Sequence, residues 1–185
     1  YGAAKISNEQ MLSAFREMYG LDYVALRYFN VFGPRMDIYG AYTEVLVRWL
    51  DCIDRREPPV IFGDGAQTMD FVFVEDVARA NVLAAQNTMT GQVYNVGSGR
   101  ETSLIELLET LLRITGSKLR PLMLPERKVN PVRRRQASIR KAASQLGFVA
   151  RVDLEEGLRR LVNWRRERRV LETTARVAFE KFPAS

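Results

Sequence analysis

The spacing of apolar and polar residues predicts a chain in which helices and strands alternate. Apolar residues that recur near a period of 3.6 predict helices at residues 1–19, 43–56, 75–87, 103–115, 138–146 and 153–169. Short β-branched and aromatic runs predict strands at residues 22–30, 60–62, 71–74 and 92–96. Residues 117–136, which are rich in Pro and Arg, predict irregular structure, and residues 170–185 a variable tail.

Several predicted helix ends carry recognisable boundary residues. Gly20 suits the C-terminal end of the first helix, and Thr43 the start of the second. Thr102 or Ser103 begins the fourth helix, with Glu106 in capping-box register to Ser103. These signals strengthen the predicted boundaries.

The order of the elements predicts an α/β fold. A parallel sheet needs several strands to bury both of its faces, and this sequence contains two good sheet strands. The first predicted helix also has no strand before it. We therefore expect the sheet to include further strands upstream of residue 1.

Composition narrows the class of protein. Apolar residues make up 46% of the chain and charged residues 27%, which is ordinary for a globular protein. No apolar run approaches the roughly 20 residues of a membrane span, and no signal peptide is visible, so no membrane partner is expected. The single cysteine, Cys52, indicates the reducing cytoplasm. Because the sequence has no histidine, His-based catalysis and His-ligated zinc are excluded and no metal site is predicted.

Charge is distributed unevenly along the chain. Residues 1–112 carry 9 Lys and Arg against 15 Asp and Glu, whereas residues 113–185 carry 19 against 7. The basic part indicates an anionic partner, either a diphosphate-bearing small molecule or a nucleic acid. It equally fits a solvated helix surface, which is our interpretation for residues 159–169.

The first residues form a candidate catalytic pair. Tyr1 and Lys5 are four residues apart, so on a helix they share a face. A lysine ammonium beside a phenol favours the phenolate and lowers its pKa toward the range of a general base. Such a base can take a proton from a hydroxyl while a nicotinamide takes the hydride. By itself the pattern is a weak signal, because a Tyr and a Lys four residues apart on a helix are more often a surface pair than a catalytic one.

Five motifs in a fixed order give the pair a context. They are Tyr1-Gly-Ala-Ala-Lys5, the run LRYFNVFGPR at residues 26–35, the run FGDGAQTMDFVFVEDVA at 62–78, Tyr94-Asn-Val-Gly-Ser-Gly99, and Leu154-Glu-Glu-Gly-Leu158 with Trp164. Together they make residues 1–167 resemble the C-terminal half of an extended short-chain dehydrogenase/reductase. The branch is that of the NAD-dependent nucleotide-sugar epimerases and dehydratases, of which UDP-glucose 4-epimerase is typical.

The resemblance implies roles for individual residues. Tyr1 is implied to be the general acid/base, and Lys5 to lower its pKa and hydrogen-bond the nicotinamide ribose. Tyr28 is implied to lie near the nicotinamide, Phe29 to border the sugar and Asn30 to hydrogen-bond the nucleotide-sugar. An aromatic platform and an amide at the C-terminal end of a strand agree with where α/β folds bind ligands. Strand core is the alternative for one of the two aromatic residues, because successive side chains point to opposite faces.

The resemblance also points to a nucleotide-binding region, with one departure. Val60 and Phe62 match positions that sandwich the base, although a buried strand explains them equally well. Met69 stands where the family usually has an arginine that grips the diphosphate, and a thioether cannot donate a hydrogen bond. Nearby basic residues offer a substitute. They are Arg127, Lys128, Arg133, Arg134 and Arg135. Asp70 and Asp76 are predicted to be structural.

By resemblance, the fold is the C-terminal part of a Rossmann-type NAD-binding fold plus a small mixed α/β substrate-binding lobe. Residues 1–33 and 71–97 are expected in the first part, and residues 34–70 and 98–169 in the lobe. The implied partners are NAD, a nucleotide-sugar, most simply a UDP-sugar, and a second copy of the full-length protein.

The glycine fingerprint for NAD does not occur in these 185 residues. We therefore expect a fragment that binds NAD poorly and turns over nothing by itself. A saturable NAD titration would contradict this.

The implied activity is a UDP-sugar 4-epimerase that acts through a 4-keto sugar. A 4,6-dehydratase or a UDP-glucuronate decarboxylase of the same family is the alternative. A non-catalytic protein that binds nucleic acid or another anion is an alternative of a different class. The absence of an interleaved aromatic and basic stripe argues against nucleic acid.

Overall fold

The computed structural model describes residues 1–37, 45–126 and 132–181, with side chains described up to residue 171. Its helices are α1 (Gly2–Tyr19), α2 (Val45–Arg55), α3 (Val74–Gln86), α4 (Leu104–Thr115), α5 (Arg140–Leu146) and α6 (Leu154–Lys181). Its strands are β1 (Val24–Tyr28), β2 (Asn30–Phe32), β3 (Val60–Phe62), β4 (Thr68–Met69), β5 (Phe71–Phe73), β6 (Gln92–Val96), β7 (Thr102–Ser103) and β8 (Leu122–Leu124). The predicted alternation of helices and strands, and with it the α/β class, is confirmed.

Contacts divide the chain into two compact units. The first unit consists of Tyr1–Val31, Met69–Glu101 and Arg134–Val152. The second consists of Phe32–Thr68, Thr102–Arg133 and Asp153–Ser185. This division differs from the expected one in the segment Arg134–Val152, which the sequence analysis grouped with the substrate-binding lobe.

The first unit is built around a parallel pair of strands. β1 and β6 run parallel in a register that sets Val24 opposite Gln92 and Tyr28 opposite Val96. Helix α3 contacts β1 and β5, and α5 contacts β6. The buried core between these elements consists of Val72, Val77, Ala80, Tyr94, Val96, Ala142, Leu146 and Phe148. Removal of this apolar surface from water stabilises the unit.

The predicted strand at residues 22–30 is wrong in one respect, because the chain changes partner within it. β1 ends at Tyr28, and the Phe29 amide donates to the Val96 carbonyl at 2.9 Å. From Asn30 onward the chain forms β2, which pairs with β5. An uninterrupted β-branched and aromatic run does not reveal which neighbour it pairs with, so local sequence hides this break.

The second unit contains a strand that the sequence analysis missed. β3 runs parallel to β8, with Ile61 opposite Met123. The prediction of irregular structure over 117–136 is therefore wrong for Leu122–Leu124. Pro121 and Pro125 bracket this strand, and proline is compatible with the ends of an edge strand. Apolar faces of α2, α4 and α6 supply the rest of the core. Its large members include Leu46, Trp49, Leu50, Leu107, Leu108, Leu111, Leu158 and Leu161.

Helix boundaries follow the capping residues closely. Ser103 caps α4, and its Oγ accepts a hydrogen bond from the Glu106 amide at 3.2 Å. Asp153 caps α6 in the same way, through the Glu156 amide at 2.8 Å. α5 begins at Arg140, two residues later than predicted. The predicted cap of α2, Thr43, lies outside the described residues.

Helix α6 is longer than predicted, since it continues past Arg169 to Lys181. No glycine or proline interrupts residues 158–181, and arginine is a good helix former, so a run of charge is no stop signal. Within the part of the chain that the structure describes, no helix combines the length and the apolarity that a bilayer crossing requires.

Asp76 has the structural role expected of it. It lies in the first turn of α3 and is almost completely buried. Its carboxylate accepts hydrogen bonds from the Arg151 and Val152 amides at 3.0 Å and pairs with Arg79 at 2.6 Å. Asp76 thereby joins the start of α3 to the end of the segment Arg134–Val152.

Candidate functional site

The Tyr1–Lys5 pair begins helix α1. Tyr1 is the N-cap residue, and its carbonyl accepts a hydrogen bond from the Lys5 amide at 3.1 Å. The Lys5 Nζ lies 5.2 Å from the centroid of the Tyr1 ring, so the ammonium faces the phenol as the spacing predicted. The Tyr1 residue is 97% exposed, which leaves its hydroxyl accessible to a substrate.

Tyr28 ends strand β1 and is held from the side by helix α3. Its hydroxyl donates to Asn81 Oδ1 at 2.8 Å, and Asn81 Nδ2 donates to the Val77 carbonyl at 2.8 Å. Tyr28 is 47% exposed, so the strand-core alternative does not describe it. The sequence analysis missed Asn81. Its one signal was an amide side chain within a helix of small apolar residues.

A groove runs beside Tyr28 in the first unit. It has a volume of about 630 Å³ and is lined by β1, α3 and the loop that follows α3. Its lining residues are Asp22, Tyr23, Val24, Leu26, Tyr28, Asn81, Ala84, Ala85, Asn87, Thr88, Met89 and Thr90. The strand end that carries the predicted cofactor-binding tyrosine is therefore open on this side.

Asn30 is held by the backbone carbonyl of Asp70, the residue that directly precedes strand β5. Both the Asn30 amide and its Nδ2 donate to the Asp70 carbonyl, at 3.1 and 2.9 Å. The side chain is partly buried, and this bond leaves its Oδ1 and one amide hydrogen for a ligand. Phe29, the predicted border of the sugar site, is half-buried beside it.

The Asp70 carboxylate organises the loops around Asn30. It is fully buried and accepts hydrogen bonds from Ser98 N and Oγ at 2.6 and 2.7 Å, from Gly99 N at 2.9 Å and from Ala137 N at 3.1 Å. The predicted structural role of Asp70 is confirmed. Three distant chain segments are thereby joined at one carboxylate, and the same residue's carbonyl positions Asn30.

Val60 and Phe62 lie in the second unit on strand β3. Both are half-buried, whereas Ile61 between them is 1% exposed, so the two share the outer face of the strand. Their carbonyls are engaged by Trp49 Nε1 at 2.9 Å and Gln67 Nε2 at 3.0 Å. A rigid strand thus presents one aliphatic and one aromatic side chain on a single surface.

The predicted phosphate-binding arginines have different surroundings. Arg133, in the second unit, is 64% exposed, and its Nη2 lies 3.6 Å from carboxylate oxygens of both Asp64 and Glu126. Arg134, in the first unit, pairs with Glu101, and that hydrogen bond raises the pKa of the Arg134 guanidinium. Arg127 lies outside the described residues. Arg133 is held loosely, and this leaves its guanidinium able to turn to another anion.

Comparison with known proteins identifies the family that these features share. The model of the NAD dependent epimerase/dehydratase family matches residues 1–97, which is just over half of the chain. The chain belongs to this family. The match spans the Tyr1–Lys5 pair, the β1–β2 segment and the whole of α3, so the resemblance drawn from the motifs is confirmed.

Relatives with assigned names and solved structures agree with this membership. The chain is 34% identical over 168 residues to a UDP-glucose 4-epimerase of Mycolicibacterium smegmatis, covering 91% of this chain and 53% of that protein. A crystal structure of a UDP-glucose 4-epimerase with UDP-glucose from Thermotoga maritima superposes with a TM-score of 0.85 at 42% identity, covering 90% of this chain and 53% of that one. The α/β fold of family members is therefore shown for this chain.

Other family members bind NAD or carry out other reactions. A UDP-glucuronic acid 4-epimerase of Bacillus cereus, solved with UDP-glucuronic acid and NAD, matches at 28% identity with a TM-score of 0.81, over 90% of this chain and 52% of that one. A decarboxylase of UDP-N-acetyl-alpha-D-glucosaminuronate from Bacillus cytotoxicus and a dTDP-glucose 4,6-dehydratase from an Actinoplanes species match at 29% and 30% identity. The chain spans about half the length of the curated relatives it matches.

Proposed function

We propose that this chain supplies the acid/base pair and the substrate-binding residues of an NAD-dependent UDP-sugar 4-epimerase. The observation that carries the proposal is the exposed Tyr1 phenol with the Lys5 ammonium 5.2 Å from its ring centroid. Family membership supports the class of reaction, and the relatives that are named epimerases favour epimerisation within that class. In this proposal Tyr1 is the catalytic acid/base and Lys5 its electrostatic partner.

The chemistry follows from the charges of this pair. The ammonium of Lys5 favours negative charge on the Tyr1 oxygen, which can then take the proton of the sugar 4-hydroxyl. NAD, when bound, would supply the acceptor for the C4 hydride and the donor for its return to the 4-keto sugar. Tyr1 then returns the proton to the oxygen at C4, which becomes the new hydroxyl. Lys5 hydrogen-bonds the nicotinamide ribose in the same assembly.

The residues present fit the nicotinamide end of this cofactor. Tyr1, Lys5 and Tyr28 carry hydroxyl and ammonium groups that suit a ribose and a carboxamide, and all three residues are exposed. The glycine fingerprint that cradles a dinucleotide pyrophosphate does not occur in the sequence. Productive NAD binding in this proposal therefore uses the complete protein, in which residues 1–33 and 71–97 belong to a Rossmann-type domain.

The proposed contacts to the nucleotide-sugar come from several side chains. Phe29 borders the sugar, and Asn30 offers its free amide groups to the substrate. Val60 and Phe62 provide a flat surface on which a uracil can stack. Met69 stands where the family usually has a diphosphate-binding arginine, and Arg133 is the favoured replacement for it. The nearest carboxylate oxygens lie 3.6 Å from Arg133 Nη2, so its guanidinium is only weakly paired. Arg134 has a tighter carboxylate partner, and Arg127 completes the proposed set.

A 4,6-dehydratase or a decarboxylase is the second candidate, favoured by the relatives of those types. Both reactions begin with the same removal of a proton and a hydride at C4, so the Tyr1–Lys5 pair serves them equally. The product distinguishes them from epimerisation. The sugar loses water in a dehydratase and carbon dioxide in a decarboxylase, whereas an epimer has the same formula as its substrate.

The test of the proposal uses the protein produced from its complete reading frame, with added NAD and UDP-glucose. We expect interconversion of UDP-glucose and UDP-galactose, followed by NMR of the sugar anomeric protons. The variant Tyr1→Phe keeps the ring and removes the acid/base, so kcat should fall by about 10²- to 10⁴-fold.

Tyr19→Phe is the matched control, because Tyr19 is an exposed tyrosine on the same helix. Its kcat should equal that of the wild type. Full activity of Tyr1→Phe, a dehydrated product from UDP-glucose, or a decarboxylated product when UDP-glucuronate is supplied would contradict the epimerase assignment.

A further inference from the structure

A second polar pocket lies in the second unit, formed by α2, the C-terminal end of α4 and α6. Its volume is about 240 Å³. Its lining residues are Leu50, Ile53, Asp54, Arg56, Thr115, Val162, Arg165, Arg166 and Arg169. None of these residues belongs to the proposed epimerase site, so the pocket has no role in the function proposed above.

Arg165 is the central residue of this pocket. Its side chain is 11% exposed, its Nε donates to Asp54 Oδ2 at 3.2 Å, and its Nη2 pairs with Asp51. Its Nη1 is buried and has no hydrogen-bond partner among the described residues. A buried charged donor is costly to leave unpaired, and such a group in a native protein calls for a ligand or an ion.

The charges around Arg165 do not balance. Four arginines line the pocket, against the single carboxylate of Asp54, which also pairs with Arg169. Asp51 neutralises part of Arg165 from outside the lining. Arg56 and Arg166 are exposed and add two further positive charges at the mouth. The pocket is therefore a site for negative charge.

Arg56 occupies an unusual backbone position for its side chain. It follows the C-terminal end of α2 with φ at 59°, in the left-handed region where glycine is common. An arginine gains nothing conformationally at such a position. Arg56 nevertheless lines the pocket, which is consistent with a binding role for this residue.

We propose that this pocket binds a small organic phosphate, a phosphate monoester with a compact apolar body. Guanidinium forks match phosphate oxygens in pairs, and the exposed Arg56 and Arg166 are charged residues that line the pocket. Leu50, Ile53 and Val162 supply apolar surface for the body of the ligand, and about 240 Å³ is more space than a bare phosphate ion fills. The bound ligand would bridge α2 and α6.

The alternative reading is a purely structural ion-pair network. Asp51 and Asp54 already join α2 to Arg165 and Arg169 of α6. That network accounts for two of the four lining arginines, Arg165 and Arg169, without a ligand. It does not account for Arg56 and Arg166, the two exposed arginines that also line the pocket, so ligand binding separates the two readings.

Isothermal titration of the full chain with phenyl phosphate, at constant ionic strength, tests the proposal. We expect saturable binding with one site per chain. Arg166→Ala and Arg56→Gly should each weaken it by about tenfold or more, because each removes a charged donor while the Arg165 network stays intact. The glycine also relieves the left-handed backbone at position 56, so that variant should stay folded.

Arg168→Ala and Arg133→Ala are the control variants. Arg168 is an exposed arginine of α6 outside the pocket, and Arg133 belongs to the proposed substrate site. Neither should change the affinity for phenyl phosphate. Loss of binding in Arg133→Ala, with Arg166→Ala unaffected, would assign the phosphate to the substrate site and overturn the inference while leaving the proposed function intact.

Two further titrations decide the class of ligand. Inorganic phosphate should bind at least tenfold more weakly than phenyl phosphate, because it lacks the apolar body. Phthalate, a dicarboxylate with a similar ring, should also bind more weakly. Equal affinity for either of these anions, or no saturable binding of phenyl phosphate, would overturn the proposal.

Discussion

Asp70 shows how one residue can set both stability and site geometry. Its buried carboxylate accepts four hydrogen bonds, and its carbonyl holds Asn30. Asp70→Asn replaces one acceptor oxygen by an amide NH2 group, which is itself a donor. Some of the buried donors that now bind the carboxylate then lose their acceptor. We expect a loss of about 3 kcal/mol in the free energy of unfolding, measured by urea denaturation.

Asp22→Asn is the control for this experiment. Asp22 is exposed, so the same chemical change there should alter the free energy of unfolding by less than about 0.5 kcal/mol. An Asp70→Asn protein as stable as the wild type would show that the four donors find other partners. It would remove the structural role assigned to this carboxylate.

At the scale of single residues, the sequence predicted the pairs that lie close along the chain. Tyr1 and Lys5 are joined by helix geometry alone, and so their proximity was visible. The Gly97-Ser98-Gly99 turn was not explained, because its partner Asp70 is distant in sequence. The structure gives the reason for Gly97, where a Cβ would lie 2.6 Å from the Ala137 Cβ and 2.9 Å from Asp70 Oδ2. Contacts of this kind depend on the fold as a whole.

At the scale of elements, an ion-pair cluster ties α4 to α6. Glu155 of α6 accepts hydrogen bonds from Arg113 of α4 at 2.7 and 3.0 Å and from Arg159 at 2.5 Å. These two guanidinium groups lower the pKa of Glu155 from 4.5 to about 2. A lowered pKa means that the stabilisation is complete above about pH 4.5 and is lost as the pH falls toward 2.

The expected result is a stability difference between wild type and Glu155→Gln that is constant above pH 5 and disappears toward pH 2. The difference should also shrink in 1 M salt, because the carboxylate is exposed to solvent. Glu156→Gln, one residue further along the same helix, should lower the free energy of unfolding by less than Glu155→Gln does, because Glu156 is not part of this ion-pair cluster. An NMR titration midpoint for Glu155 near 4.5 would contradict the predicted pairing.

Most helices were predictable because their ends carry local signals. Gly20 and Ser103 mark boundaries that the structure confirms. Strand β8 and the change of partner at Phe29 were not predictable, since strand pairing is decided by residues far away in sequence. The extension of α6 beyond Arg169 was missed because residues 170–185 were assigned to a variable tail, although no glycine or proline interrupts residues 170–181.

At the scale of the whole molecule, helix α1 stands out because none of its residues is buried. Ile6, Met11, Phe15 and Met18 are all exposed large apolar residues, and Met18 is 70% exposed. Apolar patches of this kind mark surfaces that associate. As part of the proposed function, we infer that α1 contributes to a homodimer of the complete protein.

The complete protein should therefore elute as a dimer in size-exclusion chromatography with light scattering. Phe15→Glu places a charge among the apolar residues at positions 11, 15 and 18, which share one helix face, and should weaken dimerisation by at least tenfold. Ser13→Glu adds the same charge off that face and should leave the dimer intact.

Circular dichroism of Phe15→Glu separates the possible outcomes. A folded monomer of Phe15→Glu supports a second copy as the partner of α1, whereas an unfolded chain assigns this face to the interior of the protein, and an unchanged dimer places the interface elsewhere.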